Sequence, residues 1–424
     1  MLGIRRLALI GGITVGLFAL GLVTRRGEIL ALALLFVTFQ VAGICFSIDR
    51  KAVKITAKRF LSKSRIYGGD EVEVTVEITN SGIKLEEVYL ADVLPWGLKV
   101  VEGETSVVSS LDEGDKIKLS YTVVAERGYF EFKKIKALVV DALGFSPLEL
   151  DVSVSSSLFV LPRYEDLRDI KIRPRRTHVY SGVVRANEGG PGVEFFSVRE
   201  YRWGDEFRWI NWKATARHGR LITNEFEQER VADVIIVLDA RERSDICFDG
   251  KSLFEHSVQA AASFVRFFIR QGNNVGLLIY GGFLSWVFPG YGRLQEERLM
   301  RALAKAEKGE SIVFEELENI PARLFPKKSQ LMLISPLTKD DVEILRRLRF
   351  WGWQIMVVSP NPVEFELESL PKTSSTEFAA RIASLEREIT LDKLRQAEIR
   401  VVDWNVNQPL RIACGGLKII KIKK

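Results

Sequence analysis

The run VADVIIVLDA, residues 231–240, is apolar except for Asp233 and Asp239. It reads as a strand buried on both faces, of the kind found in parallel sheets. From Val231 onward strands and helices alternate. Strand Val231–Leu238 leads to a helix around Leu253–Arg270, then strand Asn274–Tyr280 and an extended piece at Phe283–Phe288. Helices follow around Leu294–Lys308 and Phe314–Leu324. Strand Gln330–Ile334, helix Lys339–Phe350, strand Trp353–Val358, a long helix within Ser375–Glu398 and strand Ile399–Trp404 complete the series. The alternation predicts an open, mainly parallel, doubly wound α/β sheet over residues 231–424.

Just before this run, residues 192–230 read GVEFFSVREYRWGDEFRWINWKATARHGRLITNEFEQER. Phe195, Phe196, Tyr201, Trp203, Phe207, Trp209, Trp212 and Phe226 make the stretch unusually aromatic. Arg199, Arg202, Arg208, Lys213, Arg217, Arg220 and Arg230 are offset by acids that include Glu200, Asp205, Glu206, Glu225, Glu227 and Glu229. Aromatics interleaved with arginine can track nucleic acid. A phosphate-tracking groove needs a net positive face, however, and these charges nearly cancel, so no nucleic-acid partner is expected. Local Arg–carboxylate pairing over an aromatic platform is the simpler expectation. If Asp205–Arg217 is helical, Trp209 and Trp212 share one side and bury together as a structural clamp.

The run Glu194-Phe195, Val198-Arg199-Glu200-Tyr201, Gly204-Asp205, Arg208, Ile210-Asn211-Trp212-Lys213-Ala214-Thr215-Ala216-Arg217, Leu221 and Glu225 resembles the signature of the domain-of-unknown-function 58 family. The resemblance implies that a von Willebrand factor A-like domain follows the signature. It also implies an N-terminal membrane hairpin and a β-rich domain before it. It further implies a membrane-anchored interaction protein, often linked to MoxR-type AAA+ ATPases. On this reading Arg199, Glu200, Tyr201, Gly204, Asp205, Arg208, Asn211, Trp212, Ala216, Arg217, Leu221 and Glu225 are structural or partner-binding positions.

Outward from the signature, the remaining domains differ in period. The chain of 424 residues implies about two to three domains. Leu7 to Val23 and Ile29 to Phe46 are apolar but for Thr14, Thr38 and Gln40, and the polar connector Thr24-Arg25-Arg26-Gly27-Glu28 joins them. They predict a two-helix transmembrane hairpin over residues 1–50, since about 20 apolar residues cross a bilayer. A cleaved signal peptide is the alternative for the first segment. Gly12 and Gly16 have the GxxxG spacing of close helix packing. Arg5, Arg6, Arg50, Lys51, Lys54, Lys58 and Arg59 outweigh Arg25 and Arg26. That bias predicts a multi-pass cell-membrane protein whose remaining domains are cytoplasmic.

Over residues 51–162 the period falls to two. Glu71-Val72-Glu73-Val74-Thr75-Val76-Glu77-Ile78 alternates as a half-buried strand should, and Asn80-Ser81-Gly82 follows as a turn. Further short strands with regular turns predict a β-sandwich acting as a spacer. Gly69-Asp70, Leu94-Pro95-Trp96-Gly97-Leu98, Arg127-Gly128-Tyr129 and Asp141, Gly144-Phe145 resemble the β-domain accompanying the same family. Residues 163–192 read as a linker with Arg173, Pro174, Arg175 and Arg176, then a mobile loop at Glu188-Gly189-Gly190-Pro191-Gly192. The signature occupies 193–230.

Candidate chemistry is sparse. Ligands of an open parallel sheet bind beyond the carboxyl ends of its strands, which points to Asp239. The resemblance implies an Asp-x-Ser-x-Ser cation motif there, but Arg241 and Arg243 replace both hydroxyls. Arginine repels a cation, and Ser335-Pro336-Leu337 supplies no second carboxylate after the next strand, so no metal is expected at this degenerate site. Gly250-Lys251-Ser252 resembles the end of a phosphate-binding loop, but Asp245 stands where that loop needs glycine. His178, His218 and His256 are isolated, and no GxSxG is present. Cys45, Cys247 and Cys414 form no CxxC, so neither zinc nor a disulfide framework is indicated. The net charge of +6 is mild for the length. Together with these absences, the family resemblance implies a membrane-anchored adaptor or scaffold without catalytic residues or cofactor, partnering a MoxR-type ATPase. The alternative is an enzyme acting on a nucleotide or cell-envelope precursor at the switch-point crevice.

Overall fold

A computed structural model of the chain describes all residues except 1, 46–47, 141–146, 168–183, 231, 243–244, 249–250, 283, 310–325, 327–328, 372 and 416–424. Outside the described residues lie His178, the Arg173, Arg175 and Arg176 cluster, the Asp141 to Phe145 piece, the helix expected at Phe314–Leu324, and Asp249-Gly250. The chain divides into two units, Met1–Val160 and Leu161–Lys424.

The first unit begins with helices α1 (Leu2–Thr24) and α2 (Gly27–Cys45), which meet at Arg25 and share a hydrogen bond from Gln40 Nε2 to Thr14 Oγ1 of 2.7 Å. Among the described residues no helix is long and apolar enough to cross a membrane. This corrects the transmembrane hairpin. The multi-pass localisation, with its cytoplasmic orientation, rested on it and falls with it. Arg5 and Arg6 lie inside α1 rather than before it. Thr14, Thr38 and Gln40 are polar positions within the two helices.

Nine strands follow: β1 (Ile55–Leu61), β2 (Arg65–Tyr67), β3 (Glu71–Asn80), β4 (Leu85–Asp92), β5 (Lys99–Gly103), β6 (Ser106–Leu111), β7 (Lys116–Val124), β8 (Gly128–Val140) and β9 (Leu148–Leu161). They form two antiparallel sheets, ordered β1-β3-β7-β5 and β2-β9-β8-β4-β6. In β3, Val72, Val74, Val76 and Ile78 all point inward and are fully buried. They share one core with Leu90 of β4 and Phe132, Ile135 and Val139 of β8 in the facing sheet. Period-two alternation has thus produced two sheets packed face to face. One polar group spans that core. Arg59 of β1 binds Asp92 of β4 through Nε–Oδ2 at 2.9 Å and Nη2–Oδ1 at 2.5 Å, and the Tyr121 hydroxyl donates to Asp92 Oδ2 at 2.6 Å.

The second unit opens with a ribbon, β10 (Val184–Glu200) paired antiparallel with β11 (Ile222–Arg230). Glu188 to Gly192, expected as a loop, lies within β10. Gly189 and Gly190 pair with Glu227 and Phe226, and a register shift separates Gly190 from Phe195. Between the strands come a 3-10 turn (Phe207–Trp209) and helix α3 (Trp212–His218).

Then come β12 (Asp233–Ala240), β13 (Cys247–Phe248), β14 (Lys251–Ser252), α4 (Leu253–Arg270), β15 (Asn274–Gly281), β16 (Ser285–Gly290), α5 (Gly292–Ala304) and β17 (Gln330–Ile334). After them follow α6 (Asp341–Phe350), β18 (Gln354–Pro360), α7 (Pro362–Leu367), α8 (Ser374–Gln396), β19 (Arg400–Trp404) and α9 (Leu410–Gly415). One six-stranded sheet results, ordered β16-β15-β12-β17-β18-β19, parallel except for the edge strand β16. Successive residues of β12 serve opposite faces. Val234, Ile236 and Leu238 pack with α4, α5 and α9, whereas Ile235 and Val237 pack with α6 and Leu394 of α8. Helices therefore cover both faces, which is why β12 is apolar without alternation.

Candidate functional site

The carboxyl ends of β12 and β17 lie side by side in the middle of the sheet. Asp239 stands at the end of β12, two per cent exposed, where the backbone leaves the ladder. The guanidinium of Arg241 folds back on it, with Nε–Oδ1 at 2.9 Å and Nη2–Oδ2 at 2.7 Å. The same guanidinium reaches Asp341, the first residue of α6, through Nη1–Oδ1 at 3.1 Å and Nη2–Oδ2 at 2.9 Å. The remaining lone pairs are met by hydroxyl and backbone donors. Ser335 Oγ donates to Asp239 Oδ2 at 2.7 Å, Arg241 N–H to Asp239 Oδ1 at 3.1 Å, and Thr338 N–H to Asp341 Oδ2 at 2.9 Å.

Burial alone would lower the pKa of Arg241. The Tyr280 ring, 5.2 Å from the guanidinium carbon, and the two carboxylates reverse that effect and raise it. Burial beside Asp239 likewise raises Tyr280 well above the ordinary phenol range. Arg241 is thus a fixed internal cation, placed between two carboxylates that could otherwise hold a hard metal ion. Among the described residues no group of three or more His, Cys, Asp or Glu is arranged to hold a metal. The second carboxylate expected to be missing after β17 is present, as Asp341. Its separation from Ser335 in sequence hid it.

A second ligand seat adjoins the start of α4. The Asp245 carboxylate accepts from Phe254 N–H at 2.9 Å and from Ser252 Oγ at 2.9 Å. Lys308 forms an ion pair with it, and its Nζ also lies 3.2 Å from Cys247 Sγ. Burial pushes the Asp245 carboxyl up, but the Cys247 thiol, which donates to it at 2.9 Å, together with Lys308, Phe254 N–H and Ser252, outweighs this and holds the pKa below the ordinary value. A helix N-terminus is a ready anion seat. Here Asp245 fills it, taking the Ser252 hydroxyl and the Phe254 N–H.

The signature residues lie in the ribbon and its cap. Arg199 grips Asp205 with two bonds of 2.7 and 2.9 Å and lies 3.4 Å from Glu225. Asp205 also accepts from Arg202 N–H at 2.8 Å, closing a turn in which Gly204 has φ 104°, a conformation that favours glycine. The Arg199 contact and the Arg202 N–H hold the Asp205 pKa down at about 2. Glu200 pairs with Arg220, and Arg208 with Glu206. Asn211 caps α3 by accepting from Ala214 N–H at 3.0 Å, and its amide donates to Asn224 at 2.8 Å.

The helix expected over Asp205–Arg217 does not form as one piece. Ile210 is extended and Asn211 is not helical, so Trp209 ends the 3-10 turn while Trp212 opens α3. Trp212 is 66% exposed, and Trp203 and Phe207 are more exposed still. The buried clamp of Trp209 and Trp212 is therefore corrected. What joins the turn to the ribbon is Arg199, Asp205, Asn211 and the buried Ile210, Ile222 and Thr223. Tyr201 stacks on Phe207 at 6.3 Å between centroids. Ala216, Arg217 and Leu221 are exposed, and Arg217 makes no ion pair among the described residues. His256 packs edge-on to Phe365 and Trp404, a core role, and His218 is exposed at the end of α3.

Residues 197–401 match the model of the family described as Protein of unknown function DUF58, a span running from the ribbon to the start of β19. An uncharacterised protein of Bacillus subtilis, YeaD, is 25% identical over 324 residues, covering 73% of this chain and 77% of the relative. Among solved structures, the CARDB domain of a Pyrococcus furiosus protein, described in complex with di-metal ions, aligns at 15% identity. It covers 25% of this chain and 97% of that one, with a TM-score of 0.16. A non-cellulosomal cohesin from Archaeoglobus fulgidus aligns at 16% identity over 26% of this chain and 91% of that one, with a TM-score of 0.19. At these TM-scores neither likeness bears on fold or function.

Proposed function

We propose that this chain is a protein-interaction adaptor whose second unit is a von Willebrand factor A-like domain and whose partner is a MoxR-type AAA+ ATPase. One observation carries the reading. Both ligand seats beside the sheet's carboxyl edge are filled by the chain's own side chains, Arg241 for a cation and Asp245 for an anion. The ribbon cap meanwhile presents Trp203, Phe207 and Trp212 to solvent. Exposed tryptophans flanked by arginines are the residue types that anchor protein interfaces. The enzyme alternative needs an open crevice for a nucleotide or cell-envelope precursor, and Asp245 with Lys308 stands in its phosphate position.

Calorimetric titration of a purified MoxR-type ATPase from the same source into the full chain tests this. Binding weakened roughly thirtyfold or more by Trp203→Ala with Trp212→Ala is the expected result. No binding rejects the partner class. Binding indifferent to the double substitution rejects the ribbon as its site.

A further inference from the structure

Among the described residues, helix α8 is held to the second unit by one face. Arg387 donates to Pro336 O at 2.9 Å, to Ser359 Oγ at 2.9 Å and to Asp403 at 2.7 Å, which fixes α8 against the carboxyl ends of the sheet strands. Leu391 and Leu394 are buried on that same side. The opposite side carries Phe378, Ile382, Leu385 and Ile389, which are 66, 47, 61 and 57% exposed. Their spacing of four, three and four residues is that of a coiled-coil seam. An apolar stripe of this regularity, rimmed by charge, marks an interaction site.

We propose that this stripe pairs with the same stripe of a second copy of the chain, the two α8 helices running antiparallel. The sequence of the stripe is self-complementary in that direction. A two-fold axis between Ala383 and Ser384 sets Phe378 opposite Ile389 of the partner copy, and Ile382 opposite Leu385. The same axis brings Arg381 beside Glu388 of the partner copy, twice over by symmetry. Neither Arg381 nor Glu388 makes an ion pair among the described residues, whereas Glu386, which a parallel pairing would use, is already bound to Lys339 at 3.1 Å. An anionic lipid surface is the less favoured occupant. Glu377, Glu386, Glu388 and Asp392 match Arg381, Arg387, Lys393 and Arg395 along α8, whereas membrane-surface helices carry a basic excess.

Sedimentation of the full chain over a concentration series tests the pairing. A monomer–dimer equilibrium is expected, abolished by Leu385→Asp with the melting temperature unchanged, since Leu385 is exposed. Arg381→Glu and Glu388→Arg should each weaken self-association by roughly tenfold, because each opposes like charges at both contacts. An equimolar mixture of these two variants should restore the wild-type dimer. A chain that stays monomeric, or association indifferent to all three substitutions, overturns the proposal. So does a mixture that fails to recover, which would exclude the antiparallel arrangement. Binding to vesicles rich in phosphatidylserine that is lost in Leu385→Asp, with sedimentation unaffected, reassigns the stripe to lipid.

Discussion

Arg241 and Asp341, one hundred residues apart, meet through two hydrogen bonds of 3.1 and 2.9 Å at the carboxyl edge of the sheet. The contact ties the loop after β12 to the first turn of α6. Because Asp239 shares the same guanidinium, one arginine neutralises charge from two elements that would otherwise repel each other.

Replacing Arg241 by Met should destabilise the chain by about 3–5 kcal/mol, since both carboxylates would stay buried without a counter-charge. Urea denaturation of the full chain checks this. Arg241→Ser should also open a cation position at Asp239. With the guanidinium gone, Asp239, Asp341 and Ser335 present oxygens to a hard cation. Millimolar manganese should then raise the melting temperature of the variant and leave the wild type unaffected. An equal response in both would show that Arg241 does not occupy a cation position.

Asp205 carries the pH prediction. Its pKa is about 2 in the folded chain against an ordinary 3.8, chiefly through Arg199 and then the Arg202 N–H. A depressed carboxyl stabilises the fold above its unfolded value, and that stabilisation is lost as pH falls through the folded value. The ribbon cap should therefore loosen between about pH 4 and pH 2. Carboxyl carbon shifts followed by NMR should place the Asp205 midpoint near 2, and Arg199→Ala should return it towards 3.8.

Asp245→Ala removes the cap of α4 and should cost about 1 kcal/mol or more, while Asp245→Asn should cost less because its oxygen can still accept from Phe254 N–H. Thermal denaturation of the two variants checks the order. Should the alanine variant match the wild type, Asp245 would not be capping the helix.

In the sandwich, Asp92→Ala should cost about 3–5 kcal/mol, leaving Arg59 buried without its carboxylate and Tyr121 without its acceptor. By contrast, Trp212→Ala should change stability by less than ~0.5 kcal/mol, as expected for an exposed side chain without a structural role. A large loss there would restore the buried-clamp reading of the signature.

Local pattern determined much of this protein. The alternation from Glu71 to Ile78 can bury only one face, and the unbroken run from Val234 to Leu238 must bury two, so both strands were legible from residue order. Arg241 in place of a hydroxyl already argued against a cation at Asp239. Hydropathy misleads at the N-terminus, because an apolar run does not show where its helix begins, and α1 takes in Arg5 and Arg6. Only the tertiary structure decided who neutralises whom. Asp341 reaches Arg241 across 100 residues and Lys308 reaches Asp245 across 63, and no window of sequence spans such contacts. It also decided that Trp212 faces solvent, since aromatic spacing records a shared helical face but not what lies against it. The stripe on α8 has the same character: its period is written in the sequence, but that Arg387 turns the other face inward follows only from the fold, because burial belongs to the packing of whole elements.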